Sequence, residues 1–118
     1  MNIFYFYKVV RLVDQDLQSC MGGSGYIKYL VNKFVSPRKG YGPLCVFSTL
    51  ALAEKFIRTN RANGYFEVLQ IYSCQIIKSE LDVIWNPLHR IEKVELPKGT
   101  ILASSVKLRE CVYTTKET

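Results

Sequence analysis

Only one stretch of this chain carries apolar residues at helical spacing, and strand-like runs frame it on both sides. Leu50, Ala53, Phe56 and Ile57 fall on one helix face, with Glu54, Lys55 and Arg58 on the others. Ser48 or Thr49 supplies an N-cap. Asn60 to Gly64 reads as the stop, because Asn63-Gly64 tolerates positive φ. A helix is therefore expected over Leu50–Thr59. One helix among strands restricts the chain to an α+β design, a single twisted antiparallel or mixed sheet of about five or six strands with the helix packed on it.

The strands follow from local composition. Ile3 to Leu12 is β-branched and aromatic without Gly or Pro, and reads as a long strand. Ile3, Tyr5, Tyr7 and Val9 share one face and Phe4, Phe6, Lys8 and Val10 the other, so both faces are expected to be covered. Val13 to Gly25 reads as a loop with room for one helical turn at Asp16–Cys20. Tyr26 to Val35 is a strand closed by Pro37, Arg38 to Pro43 a turn-rich basic loop, and Leu44 to Phe47 a short buried strand. Tyr65 to Ile77 returns to strand character. Around Trp85-Asn86-Pro87, the residues Ile84, Trp85, Leu88 and Ile91 are expected to cap the core as a loop or short helix. Leu96 to Thr100 is a turn, and Ile101 to Thr114 holds one or two strands. No linker or repeat interrupts this order, so residues 1–118 are expected to form one domain.

Charge is distributed unevenly. Between Tyr26 and Arg61 seven basic residues, Lys28, Lys33, Arg38, Lys39, Lys55, Arg58 and Arg61, face one acid, Glu54; that excess equals the +6 of the whole chain. Tyr26, Tyr29, Phe34 and Tyr41 interleave with these cations. Cations for phosphate and rings for stacking are the combination that binds single-stranded nucleic acid. The same residues also suit an acidic protein surface or a nucleotide, or a solvated strand whose Lys and Arg keep it soluble.

Several chemistries are disfavoured. The run Gly22-Gly23-Ser24-Gly25 matches neither the P-loop nor the dinucleotide fingerprint. Cys20, Cys45, Cys74 and Cys111 lie far apart with no C-x-x-C pair, and His89 is the only histidine, so neither zinc nor a disulfide is expected. Cys45, Cys74 and Cys111 sit in apolar strand patterns and read as buried thiols. Asp82 and Glu92 are close to His89 in sequence, but nothing orients them for acid–base work. Cys20 lacks the cationic neighbour a nucleophilic thiol needs. No apolar run reaches the length of a membrane span, and the apolar start lacks a basic leader, which points to a cytoplasmic protein.

Two resemblances bear on function. A first strand ending in Arg11, a strand ending in Ser48-Thr49 before a helix, and Glu80-Leu81-Asp82 after a long strand resemble the ADP-ribosyltransferase fold. In one branch of that family an Arg, a Ser-Thr-Ser strand end and a Glu-x-Glu loop form the nicotinamide dinucleotide site. The resemblance implies a nucleotide site of Arg11, Ser48, Thr49, Glu80 and Asp82. Leu50 replaces the third residue of the serine motif, and Asp82 stands where the catalytic Glu is expected, so an inactive relative is implied as readily as an enzyme. The start Tyr7-Lys8-Val9-Val10, the block from Gly42 to Phe56 and the segment from Leu96 to Ala103 resemble small proteins of bacteriophages and mobile elements. That resemblance implies a short viral accessory protein and supplies no catalytic residues.

The residues together favour a non-enzymatic binding protein without cofactor or metal. Its contact surface is expected to use Lys28, Lys33, Arg38, Lys39, Tyr41, Arg58 and Arg61 against nucleic acid or an acidic protein surface.

Overall fold

Asp14 and Gln15 adopt φ of 48° and 73°, the pair of positive values that a type I′ hairpin turn requires. They join β1 (Phe6–Val13) to β2 (Asp16–Ser19), which pair from Val13↔Asp16 to Val10↔Ser19. The helical turn expected at Asp16–Cys20 is therefore a strand. Leu17 packs against the core there, and a one-turn helix has no comparable means of satisfying its backbone. The computed structural model describes residues 5–19, 27–62, 68–85, 87 and 90–115. Cys20, the Gly22–Gly25 run and His89 lie outside the described residues.

The strand expected over Tyr26 to Val35 is two short strands, β3 (Lys28–Tyr29) and β4 (Phe34–Val35). A turn separates them, with Asn32 at φ 67°. Then come β5 (Leu44–Phe47), α1 (Leu50–Ala62), β6 (Leu69–Lys78), β7 (Val83–Trp85), β8 (Arg90–Glu92), a 3-10 turn (Lys93–Glu95) and β9 (Thr100–Thr114). The protein is mostly sheet with one α-helix. Its main sheet has seven strands rather than five or six, and β7 and β8 form a separate hairpin. The extra strands are β2 and the split pair β3 and β4.

All the strand pairings are antiparallel, and they close on themselves. β1 pairs β6, β6 pairs β9, β9 pairs β5, and β5 returns to β1 at Tyr7↔Phe47. Beyond β5, β2 and β3 extend from β1 while β4 takes the edge of β9. The amide of Asn32 donates to the carbonyl of Leu108 at 2.8 Å, linking the β3–β4 turn to β9 as well. Closure needs bending, and β9 supplies it. Three register shifts against β6 leave one extra residue each on β9, at Ser104, Arg109 and Val112. The first shift also reverses which side of β9 faces inward. Ile101 and Ala103 point into the circuit before it, and Val106 and Leu108 after it.

The apolar residues sort into three clusters around this circuit. Inside lie Val10, Tyr29, Leu44, Val46, Cys74 and Leu108 with their neighbours. On the outer side of β1, β5 and β6, Val9, Phe47, Leu69 and Ile71 meet Ala53 and Ile57 of α1. Outside β5 and β9, Cys45 and Leu102 are covered by Ile84 and Ile91 of the β7–β8 hairpin. These two residues cap the core as expected, but from strands. The helix is held by the face read from its spacing: Ala53 and Ile57 are buried, and Leu50 and Phe56 partly so. Thr49 is the N-cap, its Oγ1 accepting from the Leu52 amide at 3.2 Å. Among the described residues no helix is long and apolar enough to cross a membrane.

Candidate functional site

The segment between β4 and β5 cannot continue as strand, because Pro37 and Pro43 lack the amide a ladder needs. It leaves the sheet where Ser36 and Ser105 share a hydroxyl hydrogen bond of 2.8 Å. Arg38 to Tyr41 is a turn closed by the Tyr41 amide donating to the Arg38 carbonyl at 2.9 Å. Gly40 occupies its third position at φ 86°, which a type II turn demands there. Gly42 then docks on the β7–β8 hairpin. Its amide donates to the Trp85 carbonyl at 3.1 Å, and the Trp85 amide donates back at 2.7 Å. A β-carbon on Gly42 would lie 3.4 Å from Trp85 Cζ2 and 3.6 Å from Pro37 Cγ, so the indole rests against the bare backbone.

This docking creates an open groove of about 380 Å³. Arg38, Lys39 and Tyr41 of the loop line it together with Leu81 and Trp85. Arg38 and Lys39 are exposed, and the Arg38 guanidinium lies 5.7 Å from the centroid of the Tyr41 ring. Tyr41 and Trp85 are half-buried, and Leu81 is 50% exposed. Among the described residues no acidic side chain lines the groove. Glu80 and Asp82 flank Leu81 in the chain and are exposed. The arrangement joins two cations to two rings on a loop whose path is set by backbone hydrogen bonds.

The remaining expected contact residues are not among the groove's lining. Lys28 lies on β3 and pairs with Asp16 at 3.2 Å, in solvent, where such a pair contributes little. Lys33 is exposed in the β3–β4 turn. Arg58 and Arg61 belong to α1, which packs over β1, β5 and β6. Trp85 and Leu81 were not anticipated as contact residues. Their only signal in sequence is that the lone Trp follows a loop, which says nothing about a second loop docking beside it.

The five residues implied by the transferase resemblance are not gathered into a site. Arg11 pairs with Leu69 at the start of β6, whereas Glu80 and Asp82 follow its end at Lys78. At roughly 3.3 Å per residue the two ends of that strand are about 30 Å apart. The Arg11 guanidinium donates to Gln18 Oε1 at 3.1 Å. Thr49 is occupied as the helix cap, and the Ser48 amide donates to the Gly99 carbonyl at 3.1 Å.

Lys8, placed by the sequence on a strand face without a role of its own, is a second notable residue. Alternation puts it in phase with Phe6 and Val10, and the structure buries it completely inside the circuit. Its Nζ donates to the Cys45 carbonyl at 2.7 Å and lies 5.7 Å from the Tyr29 ring centroid. Burial pushes the Cys74 thiol up to about 12, with the Lys8 charge pulling the other way, and raises Cys45 for the same reason. Cys111, expected to be buried, is exposed, because β9 runs past the core after Leu108. Among the described residues no group of three or more His, Cys, Asp or Glu is placed to hold a metal ion. No protein-family model matches the chain, and neither a curated protein nor a solved structure matches it.

Proposed function

We propose that the protein is a small non-enzymatic binding module that contacts nucleic acid through the loop of residues 37–43. The observation that carries this reading is the groove in which Arg38, Lys39 and Tyr41 converge with Trp85 and, among the described residues, no carboxylate joins the lining. The net charge of +6 adds long-range attraction for a polyanion. Lys33, four residues before the loop begins, is the nearest further cation in the chain and extends the contact. Arg58 and Arg61 on α1 offer phosphate contacts outside the groove. The protein acts in this reading as a cytoplasmic accessory factor of the viral kind, and the two buried thiols suit a reducing compartment. An enzyme of the transferase kind is not favoured, because Arg11 and Glu80 sit at opposite ends of β6.

The test is the salt dependence of binding to a labelled oligonucleotide, read by fluorescence anisotropy. Affinity should fall steeply with salt as condensed counterions are released. Replacing Lys33, Arg38 and Lys39 together by Ser should reduce the slope of log K against log salt by about two to three. The variant should stay folded, since exposed basic residues change stability by about 0.5 kcal/mol or less. An affinity indifferent both to the substitutions and to ionic strength would refute the proposal.

A further inference from the structure

The groove holds more than a basic loop requires. Phosphate contacts alone need exposed Lys and Arg, and nothing about them calls for an indole and a phenol ring beside the cations. Trp85 is seated against Gly42, and Tyr41 carries Arg38 on its ring. The loop carrying these groups is held by two reciprocal backbone hydrogen bonds and a glycine turn. The rings are thus positioned before any ligand arrives, which lowers the ordering cost of binding.

We propose that this groove seats an unstacked base of a single-stranded nucleic acid, between the Arg38–Tyr41 turn and Trp85. The inference rests on the nucleic-acid reading above and specifies the strand state of the ligand. Charge complementarity selects the occupant: Arg38 and Lys39 take the flanking phosphates, and neither is ion-paired among the described residues. A groove of about 380 Å³ accommodates one nucleoside, with Leu81 supplying apolar surface at its rim. A duplex presents only base edges and cannot fill it. Base identity should matter little. Ser79 Oγ donates to the Leu81 carbonyl at 3.2 Å, and Ser104 Oγ donates to the Ile77 carbonyl at 3.1 Å. Both serine hydroxyl protons at the groove are therefore already used, and the Tyr41 and Trp85 rings offer faces for stacking.

Trp85 is the only tryptophan, so its emission reports the groove directly. The native protein is titrated with oligothymidylate of about ten nucleotides, with a duplex of the same length and with inorganic polyphosphate. Oligothymidylate should quench Trp85 saturably. Duplex and polyphosphate should bind in a salt-dependent way and leave the emission unchanged. Tyr41→Ala should weaken oligothymidylate binding by about 5- to 100-fold without weakening polyphosphate binding, and Tyr41→Phe should retain it. Salt-dependent binding of all three polyanions without quenching by oligothymidylate would overturn the base seat and leave the nucleic-acid reading standing. Equal quenching by the duplex would overturn it too. An absence of any binding would overturn the nucleic-acid reading itself.

Discussion

Lys8 is a charged group in the most enclosed part of the molecule, and it is held there by specific contacts. Its Nζ meets the Cys45 carbonyl and the Tyr29 ring, while its four-carbon stem is fully buried on the face of β1 that carries Phe6 and Val10. Volume and hydrogen bond make separable contributions. Lys8→Met keeps most of the volume and loses the donor, which should cost about 1–3 kcal/mol. Lys8→Ala loses both and should cost more, about 2–5 kcal/mol from the cavity alone. Urea unfolding of the two variants checks the order, and an alanine variant no worse than the methionine one would refute it. Cys74 makes a second residue-scale prediction. Its thiol is raised from 9.0 to about 12 by burial. Below pH 9 the folded and unfolded chains both keep this proton. From there to about pH 12 only the unfolded chain releases it, so stability is lost as pH rises, by up to about 1.4 kcal/mol per unit. Cys74→Ala should flatten that alkaline loss, measured as the difference in unfolding free energy between about pH 8 and about pH 10.

The helix was the most legible element, because period 3.6 over a short window depends only on neighbours. Its buried face was correct, and its end was not. The helix was expected over Leu50–Thr59 with its stop within Asn60 to Gly64, yet the Asn60 side-chain amide donates to the Phe56 carbonyl at 2.8 Å and the helix runs on to Ala62. The two anchoring residues should differ in effect. Ile57 is 2% exposed, and Ile57→Ala should cost about 2–5 kcal/mol. Phe56 touches Phe47 at a ring separation of 5.4 Å but is only half-buried. Phe56→Ala should therefore fall below the full-core range, at about 2–3 kcal/mol. Thermal melting of both variants tests the ranking. The strand β2 was illegible for the opposite reason. Asp14-Gln15 is not a usual type I′ pair, and only pairing with β1 makes Asp16–Ser19 extended.

At the scale of the whole molecule, closure of the sheet leaves β6 paired along both edges, by β1 and by the long β9. The last part of β9 contributes little core, since residues 109–114 are exposed, but it covers the backbone of Gln70 to Ser73. Thr115 adds two bonds of 2.9 Å to Leu69, one from its amide and one to its hydroxyl. Truncation after Leu108 should therefore spare most of the apolar clusters and open a long strand edge. The expected result is self-association, seen by light scattering and as a shifted elution volume, with strand content largely kept. A truncated chain that stays monomeric would show that β9 does not guard that edge.

Local pattern alone determined that the chain is mostly strand with one helix, that Leu44–Phe47 is buried, and that cations and rings gather around Arg38 to Tyr41. Those features depend on periodicity, proline and charge, which are readable a few residues at a time. Tertiary structure alone decided that the strands close into a circuit, that Lys8 is inside it, and that Trp85 lies beside Gly42. Each of these joins residues far apart in the sequence, and what they bond to is a backbone group that is alike at every residue. A backbone amide carries no mark of its distant partner, so the pairing is settled only when β9 bends and the apolar faces meet.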